Sequence, residues 1–158
     1  MKAVTIKELK DELTNLSPKE LRELCLRLAR FKKENKELLT YLLFESGDES
    51  VYVNSLKKEI DDQFLQINTK SPYLIKKSLR KILRTIRKYG RYSLKKETEV
   101  ELMVYFCRKL LKFRPAITSN TGLQNLYNRQ IEVIRKKITL LHEDLQYDYG
   151  IEIKELTL

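Results

Sequence analysis

Four times in this chain a Ser or Thr is followed three residues later by Glu or Gln: Thr5 and Glu8, Ser17 and Glu20, Ser46 and Glu49, Thr121 and Gln124. That spacing is the capping box, in which the two side chains satisfy backbone donors left free by the first turn of a helix. Pro18 and Pro72 each follow a serine directly, which suits the first helical position, where a missing N–H costs nothing. With 4 Gly and 3 Pro in 158 residues, the chain has little material for the turns of a many-stranded sheet. An all-α fold is therefore expected.

The helix signals divide the chain into about seven helices, over roughly 5–14, 18–32, 34–45, 48–67, 72–90, 94–113 and 122–147. The length suits one domain with a real core. The expected organisation is a single helical domain over 1–158, with an N-terminal arm and helix (1–16), a helical core (17–147) and an extended C-terminal tail (148–158). After Gly150 the run "IEIKELTL" alternates like a strand, and "KAVTI" near the N-terminus is the segment it could pair with. Short β segments at the termini are expected from that alternation.

Two helices are apolar nearly all the way round and are expected to be central. One carries Leu38, Leu39, Tyr41, Leu42, Leu43 and Phe44; the other carries Val100, Leu102, Met103, Val104, Tyr105, Phe106 and Cys107. Leu21, Leu24, Cys25, Leu28 and Phe31 form a single stripe, as a helix of the outer layer would. Cys25 and Cys107 both sit in such apolar patterns and are expected to be buried free thiols. Ser17-Pro18 followed by "ELLTYL" and Ser71-Pro72 followed by "ELMVYF" hint at a duplicated helical unit, with an offset that drifts from 54 to 64 residues. This pairing of amphipathic helices with apolar ones resembles, as architecture, a multi-helix bundle or a short α-α superhelix of the HEAT or armadillo kind. That resemblance carries over no functional residues.

Leu123, Tyr127, Ile131, Ile134, Ile138, Leu141 and Leu145 recur at spacings of three and four, the pattern of a seam that packs along another helix. The partner helix is expected in the same chain, and a homodimer through 122–147 is the alternative.

Charge is concentrated in one place. The 27 residues from Lys70 to Lys96 hold eleven Lys or Arg and no acid, against a net charge of +10 for the whole chain. At ~100° per residue, Ile75, Leu79, Ile82, Leu83, Ile86 and Tyr89 fall on one arc. Lys76, Lys77, Arg80, Lys81, Arg84, Arg87, Lys88 and Arg91 fill the opposite arc as a continuous stripe. Like charges four apart repel by a few tenths of a kcal/mol per pair, so negative charge from outside the helix is expected. A nucleic-acid backbone would supply it as successive phosphates, with Tyr73 and Tyr92 at the margins (about 70–92) placed to stack on bases. An acidic protein surface would supply it equally, as would the neighbours Glu59, Asp61, Asp62, Glu97, Glu99 and Glu101. A membrane surface fits less well, because the apolar face of the helix is needed for the core.

Enzymatic signals are weak. His142 is the one histidine, with no ligand-spaced cysteine or histidine near it, and the four glycines are too scattered for a phosphate loop. No catalytic residue, metal or cofactor is assigned. No apolar run approaches the ~20 residues that span a bilayer, and "MKAVTIKEL" lacks a secretory apolar run, so a cytoplasmic protein is expected. The function expected is non-enzymatic polyanion binding through the basic helix, most simply to a nucleic-acid backbone without sequence preference. The alternative is a helical protein-interaction or scaffold module.

Overall fold

A computed structural model describes residues 2–157. Eight α-helices are present among them: α1 (Ile6–Thr14), α2 (Pro18–Phe31), α3 (Lys33–Thr40), α4 (Glu49–Leu65), α5 (Pro72–Gly90), α6 (Lys96–Lys112), α7 (Thr121–Ile138) and α8 (Glu143–Glu155). A π turn (Tyr41–Glu45) and a 3-10 turn (Ile117–Ser119) complete the regular structure, and no strand occurs among the described residues. The chain divides into two compact units, residues 1–44 and residues 45–158.

Two capping boxes form as the sequence predicts. Glu8 and Glu20 accept from the backbone N–H of Thr5 and Ser17 at 2.7 and 2.8 Å, while the hydroxyls of those residues accept in return at 3.3 Å. At the other two starts a neighbouring residue takes over. Asp48, not Ser46, caps α4 and accepts from the backbone of Ser50 and Val51, both at 3.1 Å. Asn120, not Thr121, caps α7 and accepts from Leu123 at 3.1 Å. Asp and Asn cap at least as well as Ser and Thr, and here each lies one residue before the helical run.

The second unit is built around α6, which touches α4, α5 and α7, while α8 packs on α7. Val100, Leu102, Met103, Phe106, Cys107 and Leu110 are at most 1% exposed, each contributing about 2 kcal/mol of apolar burial at the usual scale. The expectation of a central helix holds for this one. Burial pushes the Cys107 thiol up to about 12, so it stays protonated and packs as a small apolar group. Gly90, the last residue of α5, lies so close to α6 that a Cβ there would sit 2.9 Å from Cβ and Cγ of Glu99.

The first unit differs from its sequence reading. No side chain of α1, α2 or α3 is buried. Leu24, Leu28 and Phe31 are exposed, as is Cys25, so the stripe on α2 is not covered as an outer-layer helix would be. The second helix expected to be central is also corrected. It ends at Thr40 and continues as the π turn, where Tyr41 is buried but Leu42, Leu43 and Phe44 are exposed.

The C-terminal end is corrected as well. The helix expected over 122–147 stops at Ile138; Thr139 donates its hydroxyl to the Lys136 carbonyl at 2.8 Å, and α8 starts at Glu143 after a turn. The expected strand and extended tail over 148–158 are helical as far as Glu155. Leu145, Tyr149, Ile153 and Leu156, at spacings of four, four and three, are a helical stripe that the alternation of "IEIKEL" conceals. Gly150 does not stop the helix, since its φ is ordinary and a Cβ there would meet nothing within 4 Å. The residues of "KAVT" lie in extended or irregular backbone with no strand partner.

Candidate polyanion-binding groove

Ser71 caps α5 by accepting from Leu74 at 3.3 Å, and Pro72 occupies the first turn. Ile75, Leu79, Ile82, Leu83 and Ile86 are then buried, which fixes the rotation of the helix and turns its basic arc to solvent. This much follows the sequence reading.

The basic arc also forms one wall of a groove, which was not foreseen. Tyr73, Lys76, Lys77, Arg80, Leu83, Arg84 and Arg87 of α5 face Asn125, Leu126, Arg129 and Gln130 of α7 across a concavity of about 650 Å³. The two helices run in the same direction. The Lys76 ammonium lies 3.5 Å from the position a Cβ on Gly122 would take, and eleven residues later Arg87 donates to the Gln130 amide oxygen at 3.5 Å. Gln130 in turn donates to the Leu126 carbonyl at 3.4 Å, which holds its oxygen towards the groove. At 1.5 Å per residue, Lys76 to Arg87 is roughly 16 Å of helix.

Six cations line this groove and no carboxylate does. Among the described residues none of the six makes an ion pair. Three of the six acids that could have neutralised the arc are engaged elsewhere: Glu99 with Lys137 at 2.8 Å, Glu101 with Lys57 at 2.6 Å and Asp61 with Lys109 at 3.0 Å. Asp61 also accepts from the Tyr105 hydroxyl at 2.8 Å, and burial, with that hydrogen bond, pushes the phenol up to about 12.

The remaining residues of the arc are distributed differently. Lys81 and Arg91 are exposed but do not line the groove, and the Lys88 ammonium lies 4.4 Å from the centre of the Tyr89 ring. Tyr73 is 73% exposed at the groove's edge and free to stack. Tyr92 is not: it is 8% exposed and packs edge-on against Tyr89 at 5.7 Å, because the chain turns inward after α5 to start α6. Its expected stacking role is therefore corrected to a packing one.

Arg129, Asn125 and Gln130 were missed because α7 is of mixed charge overall. One signal was available. The first turns of α5 and α7 contain no acid, whereas α1, α2, α3, α4, α6 and α8 each have at least one. An acid there normally complements the positive end of the helix dipole, and the two helices that lack it are the two that wall the groove.

The seam expected on α7 is largely covered by the chain itself: Leu123, Tyr127, Ile131, Ile134 and Ile138 are buried, and Leu141 and Leu145 are half-buried. Tyr127 donates its hydroxyl to the Leu156 carbonyl, tying α8 to α7. No described helix is long and apolar enough to cross a membrane. Compared with protein-family models, curated proteins and solved structures, the chain matches none.

Proposed function

We propose that the groove between α5 and α7 binds a polyanion, most simply the backbone of a nucleic-acid strand, as a non-enzymatic module of the cytoplasm without sequence preference. The observation that carries this reading is a concave wall of Lys76, Lys77, Arg80, Arg84, Arg87 and Arg129 with no carboxylate in it. Unpaired cations gathered in a concavity repel one another, and phosphates relieve that repulsion while releasing counterions. A groove suits one strand, whose phosphates follow the cations while a base stacks on Tyr73 at the edge. Arg129 and Gln130 add a second wall that a flat basic helix would lack.

The test is fluorescence anisotropy of labelled single- and double-stranded RNA and DNA over a salt series. The wild type is expected to bind with a log–log salt slope of roughly −3 to −4, as about five single-strand phosphate contacts would give. The Arg80→Glu, Arg84→Glu, Arg87→Glu variant is expected to lose binding while remaining folded. Absence of binding at low salt would overturn the nucleic-acid reading. The exposed apolar side chains of α1 to α3 favour a second reading, a protein-interaction module whose basic groove meets an acidic protein. Such a partner would be retained after nuclease treatment.

A further inference from the structure

One exposed face of α2 combines apolar side chains with charges of both signs. Glu20, Glu23, Leu24, Arg27 and Arg30, spaced by three and four residues or by one, share one side of the helix. All five line a single shallow concavity that continues past the helix start to Leu16 and Ser17. Leu24, Leu28 and Phe31 beside them are 40%, 59% and 84% exposed. Glu23, Arg27 and Arg30 make no side-chain ion pair or hydrogen bond among the described residues.

The order of these charges selects the occupant. Beyond Lys19 at the helix start, the acids Glu20 and Glu23 precede the bases Arg27 and Arg30, so these four oppose a parallel copy of themselves and complement one turned end for end. We propose that this face of α2 is a homodimer contact, in which the α2 of a second copy packs antiparallel about a two-fold axis level with Cys25. In that register Glu20 meets Arg30 of the second copy and Glu23 meets its Arg27, and the reverse pairs form by symmetry. Leu24 meets its own counterpart near the axis. Phe31 comes level with Lys19 of the second copy, where the concavity opens towards Leu16 and Ser17.

A second copy fits better than an unrelated partner. The chain carries +10, and the α5 arc of one molecule repels that of another. The concavity on α2 has two acids and three bases, Lys19 included, so two basic molecules meet far less like charge there than they would across the six cations of the α5–α7 groove. An acidic partner would be drawn to the groove on α5 instead.

The experiment measures the mass of the full-length, nuclease-treated protein by sedimentation equilibrium and light scattering at moderate salt. The wild type is expected to approach twice 18.9 kDa as concentration rises. Glu23→Arg alone and Arg27→Glu alone each set like charges against each other across the axis and are expected to weaken the dimer about tenfold or more. Mixed in equal amounts, the two variants are expected to dimerise as well as the wild type, because the surplus bases of one then face the surplus acids of the other. Recovery on mixing also excludes misfolding and any effect confined to one helix. Phe31→Ala is expected to weaken the dimer several-fold. A wild type that stays monomeric, single variants that still dimerise, or a mixture that stays monomeric would each overturn the proposal. None of these residues lines the α5–α7 groove, so loss of the dimer and loss of polyanion binding are read separately.

Discussion

Residues 45–157 and residues 2–44 are written in the same amphipathic alphabet and use it to different ends. In the first stretch α6 is enclosed by neighbours, and Leu102, Phe106 and Leu110 are wholly removed from solvent. In the second only Tyr41 is buried, while twelve large apolar side chains, Phe31 and Phe44 among them, remain exposed. A stripe of Leu at helical spacing states that a face is apolar. It does not state whether the same chain covers it, and that difference separates a core from an interface.

The sharpest way to break this comparison is truncation of apolar side chains in both stretches. Phe106→Ala is expected to cost about 3–5 kcal/mol by urea denaturation, whereas Leu28→Ala, with little burial to lose, is expected to cost under about 1 kcal/mol. Comparable losses would mean that α2 is covered after all. Next in size is Gly90→Ala. The added methyl meets Cβ of Glu99, whose carboxylate is held by Lys137, so α5 and α6 must part, at a cost of about 1–3 kcal/mol.

A third measurement compares charge in the two stretches. Arg129→Gln in the groove is expected to make the nucleic-acid salt slope shallower by about 1. The same loss of charge at Lys33, exposed on α3 beside Glu37, should leave the slope unchanged. The smallest effect concerns acid. Hydrogen bonds from the Thr5 and Ser17 side chains, followed by those from their backbones, hold Glu8 and Glu20 below the ordinary value of 4.5. A carboxyl depressed in the folded state stabilises it above the unfolded value, and that contribution is lost as pH falls through the folded one. Backbone amides of α1 and α2 are therefore expected to lose exchange protection on acidification below that range, with Thr5→Ala and Ser17→Ala variants showing the smaller pH response.

Much of the fold was legible because helix starts and apolar periodicity are local. The starts of α2 and α5 were read to the residue and that of α1 to within one, and the burial of α6 followed from its being apolar all round. The C-terminal misreading has an equally local cause: in "GIEIKEL" a two-residue alternation and a helical stripe share the same isoleucine, Ile153, and only Leu145 and Tyr149 upstream decide between them. The candidate site was half legible. The arc on α5 is a run of charge within one helix, but the opposite wall is Arg129, about forty residues later in sequence, and its placement depends on how α7 packs. Tyr92 was misplaced for the same reason, since its burial is set by the turn into α6 rather than by its distance from the stripe.

The length of the groove has a consequence for how ligand length would enter. About 16 Å of helix between Lys76 and Arg87 accommodates only a few nucleotides at the 3.4 Å rise of a stacked strand. A long strand then offers many overlapping registers, each as good as the next. Observed affinity should grow in proportion to the number of registers once an oligonucleotide exceeds the footprint, and fall abruptly below it. The intercept of that line on a series of homopolymer lengths would measure the groove in nucleotides.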